Sequence, residues 1–219
     1  TPLTLILSPL QRLIQQPQIS NNDKEKLEVI YRNANRMNYL INELLTFSKI
    51  EMKQMHISVR KGDIMHFLEE LSHIFDIVAG EREIDFIVSL EDTKEEVWFS
   101  PSKLERILYN LLSNAFKYTQ PGGYVKLSAK LIKEEKETFV QISVKDNGRG
   151  IPKEAQEQIF ESYYQVEKRD HREGFGLGLS LTRSLIHMHK GEIRVESEIN
   201  KGSDFIVTLN VSEDAYNPD

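Results

Sequence analysis

Apolar side chains in the first fifty residues recur at alternating steps of three and four. A polar break after Pro17 separates two such series. This spacing is the a/d stripe of coiled-coil helices. It predicts two helices, the second capped at Asn22 or Asp23 and ending near Met52. The two series are Leu3, Ile6, Leu10 and Leu13, and then Leu27, Ile30, Ala34, Met37, Ile41, Leu44 and Ser48.

The apolar face of the second predicted helix is wider than a two-helix seam, because Leu40, Leu45 and Phe47 extend it. A single helical hairpin cannot cover such a face. A four-helix bundle formed by two chains can bury it, so we expect a homodimer through residues 1–55. The alternative is that the hairpin packs on the remainder of its own chain.

From about residue 56 the pattern mixes alternating and helical periods, which is typical of an α/β sandwich. We therefore expect an α+β chain. Residues 1–55 form an antiparallel helical hairpin, half of a dimeric bundle, and residues 56–219 form a mixed sheet covered by helices on one face. The predicted strands are 56–59, 84–90, 97–99, 124–132, 138–145, 192–197 and 204–211, and the predicted helices are 63–79, 101–118, 153–160 and 176–189.

Composition narrows the possible functions. The 219 residues include 28 basic and 34 acidic side chains, a net charge of −6, which argues against a nucleic-acid binder. The absence of cysteine excludes disulfides, thiolate catalysis and cysteine-ligated zinc. The sequence contains neither an apolar run of about 18 residues nor a signal peptide, so we expect no membrane segment within it. Its start, without Met and inside an apolar pattern, indicates a piece of a longer chain.

A first candidate motif lies on the predicted helix 101–118. Asn110 and Asn114 are four residues apart and share one helix face. Two amide oxygens on one face can bind a hard cation that keeps some of its waters, as Mg²⁺ prefers. Lys117 follows one turn later and could reach a phosphate. The alternative is an amphipathic helix whose polar face is simply solvated.

A second candidate motif follows the predicted strand 138–145. Asp146 continues the alternation of that strand, so its carboxylate lies where the buried face of the sheet ends. A buried carboxylate needs a partner, and the exocyclic amine of adenine is a suitable donor. Gly148 and Gly150 would let the backbone turn and approach a flat ring. The alternative is an ordinary Asn-Gly hairpin turn.

A third candidate motif opens the predicted helix 176–189. Gly174, Gly176 and Gly178 precede or begin this helix, and a glycine-rich helix N-terminus presents free N–H groups to phosphate. A basic loop comes just before it, as expected of a lid over an anion. The alternative is a solvated loop. The basic residues of the loop are Lys168, Arg169, His171 and Arg172.

The order and spacing of these motifs resemble the ATP-binding domain of sensor histidine kinases, which shares its nucleotide fold with gyrase and Hsp90. Residues 110–118 resemble the N box of that family, residues 146–150 the G1 box, residues 159–165 the F box and residues 174–178 the G2 box. Residues 1–55 resemble its dimerisation and phosphotransfer domain. The opening Thr-Pro-Leu-Thr-Leu-Ile-Leu is most similar to hybrid two-component sensors.

The resemblance implies ATP and Mg²⁺ as cofactors and assigns a role to each motif. Asn114 would bind Mg²⁺ with the help of Asn110, Lys117 would contact phosphate, and Asn110 and Lys117 would be catalytic. Tyr118 would pack on the base or ribose, and Asp146 would bind adenine. The remaining implied nucleotide-binding residues are Gly148, Gly150, Ile151, Lys168, Arg169, Arg172, Gly174, Gly176, Leu177 and Gly178.

The resemblance also implies a reaction. The parent protein would transfer the γ-phosphoryl group of ATP to a histidine and then to an aspartate of a response-regulator receiver domain. The acceptor histidine would precede Thr1, so these 219 residues alone are not expected to autophosphorylate. The chain would be the cytoplasmic portion of a membrane-anchored sensor.

Two alternatives to the kinase remain open. An ATPase of the gyrase, MutL or Hsp90 kind uses a glutamate to activate water, where this chain has Asn110. A non-enzymatic dimerisation module would carry a degenerate nucleotide site. The presence of all three motifs disfavours that second alternative.

Overall fold

A computed structural model describes residues 2–14, 19–52, 55–166 and 176–216. The chain divides into two compact units, Thr1–Gln54 and Met55–Asp219. Within the described ranges, none of the helices is both long and apolar enough to cross a membrane.

The first unit consists of α1 (Pro2–Ile14) and α2 (Asn21–Glu51), which contact each other. The cap of α2 is Ser20, not Asn22 or Asp23 as predicted. The Ser20 hydroxyl accepts a hydrogen bond from the Asp23 backbone N–H (3.2 Å) and donates one to the Asp23 carboxylate (2.8 Å). The first bond is an ordinary N-cap contact, and the second joins the two side chains.

Four of the seven residues in the predicted a/d stripe of α2 are exposed to solvent in the single chain. Met37 is 56% exposed and Ile41 is 41% exposed, and Ile30 and Leu44 are similarly accessible. Exposed apolar side chains in a row along one helix favour association with a second apolar surface.

The second unit contains four helices and seven strands within the described residues. Two short strands, β1 and β3, form an antiparallel pair, and the other five form a sheet of order β2-β4-β5-β7-β6. Only the β2–β4 pair is parallel, so the sheet is mixed, as predicted. The elements are β1 (Arg60–Asp63), α3 (Ile64–Ser72), α4 (Ile74–Arg82), β2 (Asp85–Leu90), β3 (Glu96–Phe99), α5 (Pro101–Tyr118), β4 (Tyr124–Glu134), β5 (Glu137–Asp146), α6 (Gly178–Met188), β6 (Glu192–Glu198) and β7 (Gly202–Asn210).

The core lies between one face of this sheet and the helices. Alternate residues of β5 are buried, from Val140 through Val144, while the residues between them are more accessible. The central helix is α5, whose Phe116 is fully buried and stacks on Phe75 of α4 with ring centroids 5.6 Å apart. The seven buried residues of α5 are Leu104, Ile107, Leu108, Leu111, Leu112, Ala115 and Phe116.

Three predicted elements have a different position, continuity or helix type in the structure. The first strand is 60–63 rather than 56–59, because it is residues 60–63 that pair with β3, Arg60 opposite Phe99. The predicted helix 63–79 is two helices. The Ser72 hydroxyl bonds back to the Glu69 carbonyl (2.7 Å) near the break, and Ile74 beyond it is 54% exposed rather than buried. The predicted helix 153–160 is two separate 3₁₀ turns.

His189 fixes the beginning of α5 from the end of α6. Its imidazole is fully buried, its Nδ1 lies 3.0 Å from the Leu185 carbonyl, and its Nε2 accepts a hydrogen bond from the Ser100 backbone N–H (3.3 Å). Burial lowers the pKa of His189 below its usual 6.5, the Leu185 carbonyl opposes this shift, and the charge of Lys103 adds to it. The acceptor role of Nε2 requires the neutral ring.

We expect acid to destabilise the fold through His189. Because the unfolded state binds this proton more tightly, the stability present above pH 6.5 is lost as pH falls below 6.5 toward the lowered pKa of the folded state, by up to about 1.4 kcal/mol per pH unit. His189→Gln retains an acceptor that does not titrate. Urea unfolding at pH 7.5 and 5.5 should show a smaller loss for the variant than for the wild type. Equal losses would contradict this prediction.

Candidate functional site

The Asn110 amide joins the first motif to the third. Its Nδ2 donates a hydrogen bond to the hydroxyl of Thr182 (2.7 Å), which is buried on α6. A methyl group added at Gly178, the first residue of α6, would lie 2.6 Å from Asn110 Oδ1. Glycine therefore allows the N-terminus of α6 to approach this oxygen closely.

Asn114 lies one helical turn after Asn110 and is half-buried. Its amide has no hydrogen-bond partner among the described residues. The described ranges also contain no group of three or more histidines and carboxylates placed to bind a metal. The donors available on this face are therefore neutral amide oxygens. They suit a hard cation that keeps waters and takes its other ligands from a phosphate, so the residues fit Mg²⁺.

Asp146 is the last residue of β5 and is only 5% exposed. Its Oδ1 accepts a hydrogen bond from the Gly148 N–H (2.8 Å). Burial raises the pKa of Asp146, hydrogen bonds from the backbone of Gly148 and Ser203 oppose this, and the charge of Asp204 adds to it. A carboxylate can accept about four hydrogen bonds, so Asp146 retains capacity for an additional donor.

The two glycines of the second motif approach protein backbone, not an open space. A methyl group added at Gly148 would overlap the carbonyl oxygen of Tyr118, at the end of α5. Gly150 has a φ of +71°, and a methyl group there would overlap the carbonyl oxygen of Glu198, at the end of β6. The two glycines thus hold the loop between α5 and the β6–β7 turn. Ile151, also predicted as nucleotide-binding, donates its N–H to the Ser197 hydroxyl (2.8 Å).

Lys117 and Tyr118 lie together at the C-terminal end of α5. The Lys117 ammonium donates a hydrogen bond to the Tyr118 hydroxyl (3.1 Å). The guanidinium of Arg149 lies over the Tyr118 ring, 4.4 Å from its centroid. Because Gly148 packs on the carbonyl of Tyr118, the second motif and the end of the first motif are in direct contact.

The third motif is described only in part. Gly176 has a φ of +71° and accepts a hydrogen bond from the Tyr163 N–H (2.9 Å). Leu177 is buried, and α6 begins at Gly178, two residues later than predicted. The other predicted residues of this motif, Lys168, Arg169, His171, Arg172 and Gly174, lie outside the described residues.

Sequence reasoning missed three residues that shape the site. Thr182 orients Asn110, Arg149 stacks on Tyr118, and Gly202 approaches Asp146 so closely that an added methyl group would overlap its carbonyl oxygen. Gly202 has a φ of +99° in the β6–β7 turn. Its position in an Asn-Lys-Gly turn indicates a positive φ, but the contact with Asp146 could not be predicted from neighbouring residues in the sequence.

Two protein-family models match the chain. Residues 99–213 match "Histidine kinase-, DNA gyrase B-, and HSP90-like ATPase", and residues 1–53 match "His Kinase A (phospho-acceptor) domain". The ATPase match contains all three motifs described above.

Curated relatives carry kinase names. Histidine kinase P4 of Formosa agariphila is 36% identical over 214 residues, which are 95% of this chain and 15% of the relative. Hybrid signal transduction histidine kinase D of Dictyostelium discoideum is 31% identical over 223 residues, which are 99% of this chain and 14% of the relative. The chain therefore spans 15% or less of the length of these two proteins.

Solved structures show the same fold. Full-length ShkA in complex with AMPPNP superposes on 96% of this chain and 45% of its own with a TM-score of 0.77. The sequence identity is 22%, so this likeness concerns the fold alone.

Proposed function

Since the chain belongs to the sensor histidine kinases, with a phosphoacceptor-type helical segment and an ATPase domain of the histidine kinase, gyrase B and HSP90 family, we propose that it binds Mg²⁺–ATP. We propose further that the γ-phosphoryl group passes to a histidine and then to an aspartate of a response-regulator receiver domain. The convergence of three separate motifs around the C-terminal half of α5 carries the proposal: Asn110 adjoins Gly178, and Tyr118 adjoins Gly148 beside Asp146.

The base end of the nucleotide is assigned to Asp146. Its carboxylate is buried, anchored by the Gly148 N–H, and able to accept another hydrogen bond. The exocyclic amine of adenine supplies such a donor, and the hydrogen bond stabilises the ionised carboxylate against the burial that raises its pKa. Tyr118, one backbone contact away, is assigned to the base or ribose.

The phosphate end is assigned to Asn110, Asn114 and Lys117. Bound Mg²⁺ would supply neutralisation of phosphate charge. Asn114 would be the principal amide for this ion, and Asn110 would assist through its Oδ1, because the bond to Thr182 uses only its Nδ2. Lys117 provides a positive charge, and the N-terminus of α6 provides backbone N–H groups near Asn110.

Phosphoryl transfer is favoured over hydrolysis by the chemistry at Asn110. A water-activating residue must accept a proton, and a glutamate can do so. The Asn110 amide cannot, and its partner Thr182 offers only a hydroxyl. The site can therefore position the γ-phosphoryl group but has no base at this position to activate water. This observation disfavours an ATPase of the gyrase kind.

The metal assignment is tested with Asn114→Ala. We expect this variant to lose the Mg²⁺-dependent part of ATP affinity while adenosine binding is nearly unchanged, because only the phosphate end loses a ligand. Calorimetry with ATP, with and without Mg²⁺, and with adenosine measures both quantities. The neighbouring exposed Ser113→Ala is the control and should match the wild type. An equal loss of ATP affinity with and without Mg²⁺ would make Asn114 structural.

Residues 1–55 are proposed to form the homodimer, and the exposed stripe of α2 supports this. Met37 and Ile41 are 56% and 41% exposed in the single chain, and the dimeric bundle would bury them. We therefore expect Met37→Glu combined with Ile41→Glu to convert the dimer into a monomer, because association would then bury two charges. Light scattering of the full chain measures the mass directly. Asn35→Glu combined with Asn42→Glu adds the same charge to exposed positions outside the stripe and should leave the dimer intact. A monomeric wild type would contradict the proposal.

A further inference from the structure

Arg149 is a charged residue of the second motif that the proposed function does not use. Its guanidinium carbon lies 4.4 Å from the centroid of the Tyr118 ring. The Tyr118 hydroxyl in turn accepts a hydrogen bond from the Lys117 ammonium (3.1 Å), which also lies 4.7 Å from the ring centroid. One aromatic ring therefore contacts two cations, and one of these is the lysine assigned to phosphate.

The backbone of Arg149 is held firmly for this contact. Its carbonyl oxygen accepts a hydrogen bond from the Asn200 N–H (2.8 Å). On either side, Gly148 packs on the Tyr118 carbonyl and Gly150 packs on the Glu198 carbonyl. The loop thus spans the distance between the β6–β7 turn and the end of α5, with Arg149 at its middle.

The environment favours positive charge at this point. Both cations lie near the C-terminal end of α5, where the carbonyl groups carry partial negative charge. The face of an aromatic ring is also negative, so stacked guanidinium is attracted to it. A tyrosine held on one side by Arg149 loses rotational freedom, and its hydroxyl then defines where the Lys117 ammonium is bound.

We propose that Arg149 is a positioning residue that acts through Tyr118 to hold Lys117 at the phosphate end of the site. This inference rests on the proposed nucleotide binding. In this arrangement Arg149 stacks on the Tyr118 ring, and the Tyr118 hydroxyl binds the Lys117 ammonium. The ammonium would then contact the phosphate. A merely structural Arg149 would stabilise the end of α5 without affecting one part of the nucleotide more than another.

The first test compares ADP with adenosine. Arg149→Met keeps a long side chain but removes the cation, and we expect it to weaken ADP binding about three- to tenfold and adenosine binding less, because Lys117 faces only the phosphates. Arg149→Lys, which keeps the charge but not the planar stack, should recover part of the ADP affinity. Calorimetry on the full chain gives both affinities, and thermal melting shows that each variant is folded. Arg183→Met is the control, because Arg183 also lies over a ring, that of Phe160, at 5.9 Å.

The second test is a double-mutant cycle with Lys117→Ala. If Arg149 acts through Lys117, Arg149→Met has no further effect on ADP affinity once Lys117 is removed. Additive losses, or equal losses for ADP and adenosine, would overturn the positioning role, because Arg149 would then act on the nucleotide directly or on the whole site. A wild-type chain that binds neither ADP nor adenosine would instead overturn the proposed function, and the role of Arg149 with it.

Discussion

Asp146→Asn is expected to weaken ATP and ADP binding by about 1–3 kcal/mol, roughly five- to 150-fold. The carboxylate can only accept hydrogen bonds, whereas the asparagine amide presents two N–H donors as well. With Oδ1 of Asp146 anchored by the Gly148 N–H, the amide nitrogen of the variant would face the amine of adenine, and two donors would meet. Calorimetric titration with ATP and ADP measures the loss.

The same substitution should leave the unliganded fold at least as stable at pH 7. Burial raises the pKa of Asp146, so its ionised form is disfavoured in the folded state. The stability that Asp146 contributes is fully present at pH values below its usual pKa of 3.8 and is lost as pH rises through the raised pKa of the folded state. An uncharged asparagine avoids that loss, and urea unfolding of the variant should show it.

Asp204→Asn is the matched control for this prediction. Asp204 is a neighbouring carboxylate on β7 that accepts a hydrogen bond from the Ser143 hydroxyl (2.6 Å) and interacts with Asp146 only through its charge. Its removal should leave adenosine and ATP affinity nearly unchanged. An unaltered affinity of Asp146→Asn would remove Asp146 from the base end of the site.

Gly150→Ala is expected to lower the free energy of unfolding by about 2–4 kcal/mol. Two effects combine at this residue. Its φ of +71° is unfavourable for an L-residue, and the added methyl group would overlap the carbonyl oxygen of Glu198. Because that oxygen belongs to the backbone at the end of β6, relief requires the loop to move away from the β6–β7 turn. Urea unfolding of the full chain measures the loss.

Two other glycines separate the two effects. Gly122 has a φ of +78° but no heavy atom within 4 Å of an added methyl group, so Gly122→Ala measures the dihedral term, about 1–2 kcal/mol. Gly80 lies in α4 with open space around it, and Gly80→Ala should stabilise by about 0.4–1 kcal/mol. If Gly150→Ala is no worse than Gly122→Ala, the loop is not held against β6.

Local sequence patterns were sufficient to predict most helices and strands of the ATPase domain. The boundaries of α5 followed from Pro101 at its start and from the turn after Tyr118. The alternation of β5 placed Asp146 on the buried face, where the structure has it. Such features depend on residues within one or two turns of each other, and periodicity reflects this kind of local relation. The three motifs were found for the same reason, since each lies within one short segment.

Distances between separate segments were decided only by the tertiary structure. The strand β1 lies four residues later than predicted because its position is set by pairing with β3, and the helix predicted over 63–79 is interrupted at His73. Whether Arg149 reaches the Tyr118 ring depends on the separation of a loop and a helix end, which Gly148 and the β6–β7 turn set.

The sequence by itself thus determined the class of the fold, the order of its elements and the three segments proposed to bind the nucleotide, because periodicity and glycine-rich turns act over short range. The tertiary structure alone decided that Thr182 orients Asn110 and that Gly202 packs on Asp146, 72 and 56 residues away respectively. These contacts arise from the packing of α5 on α6 and from the pairing of β5 with β7. No local pattern encodes them, since each depends on how close two distant backbones come once the sheet is assembled.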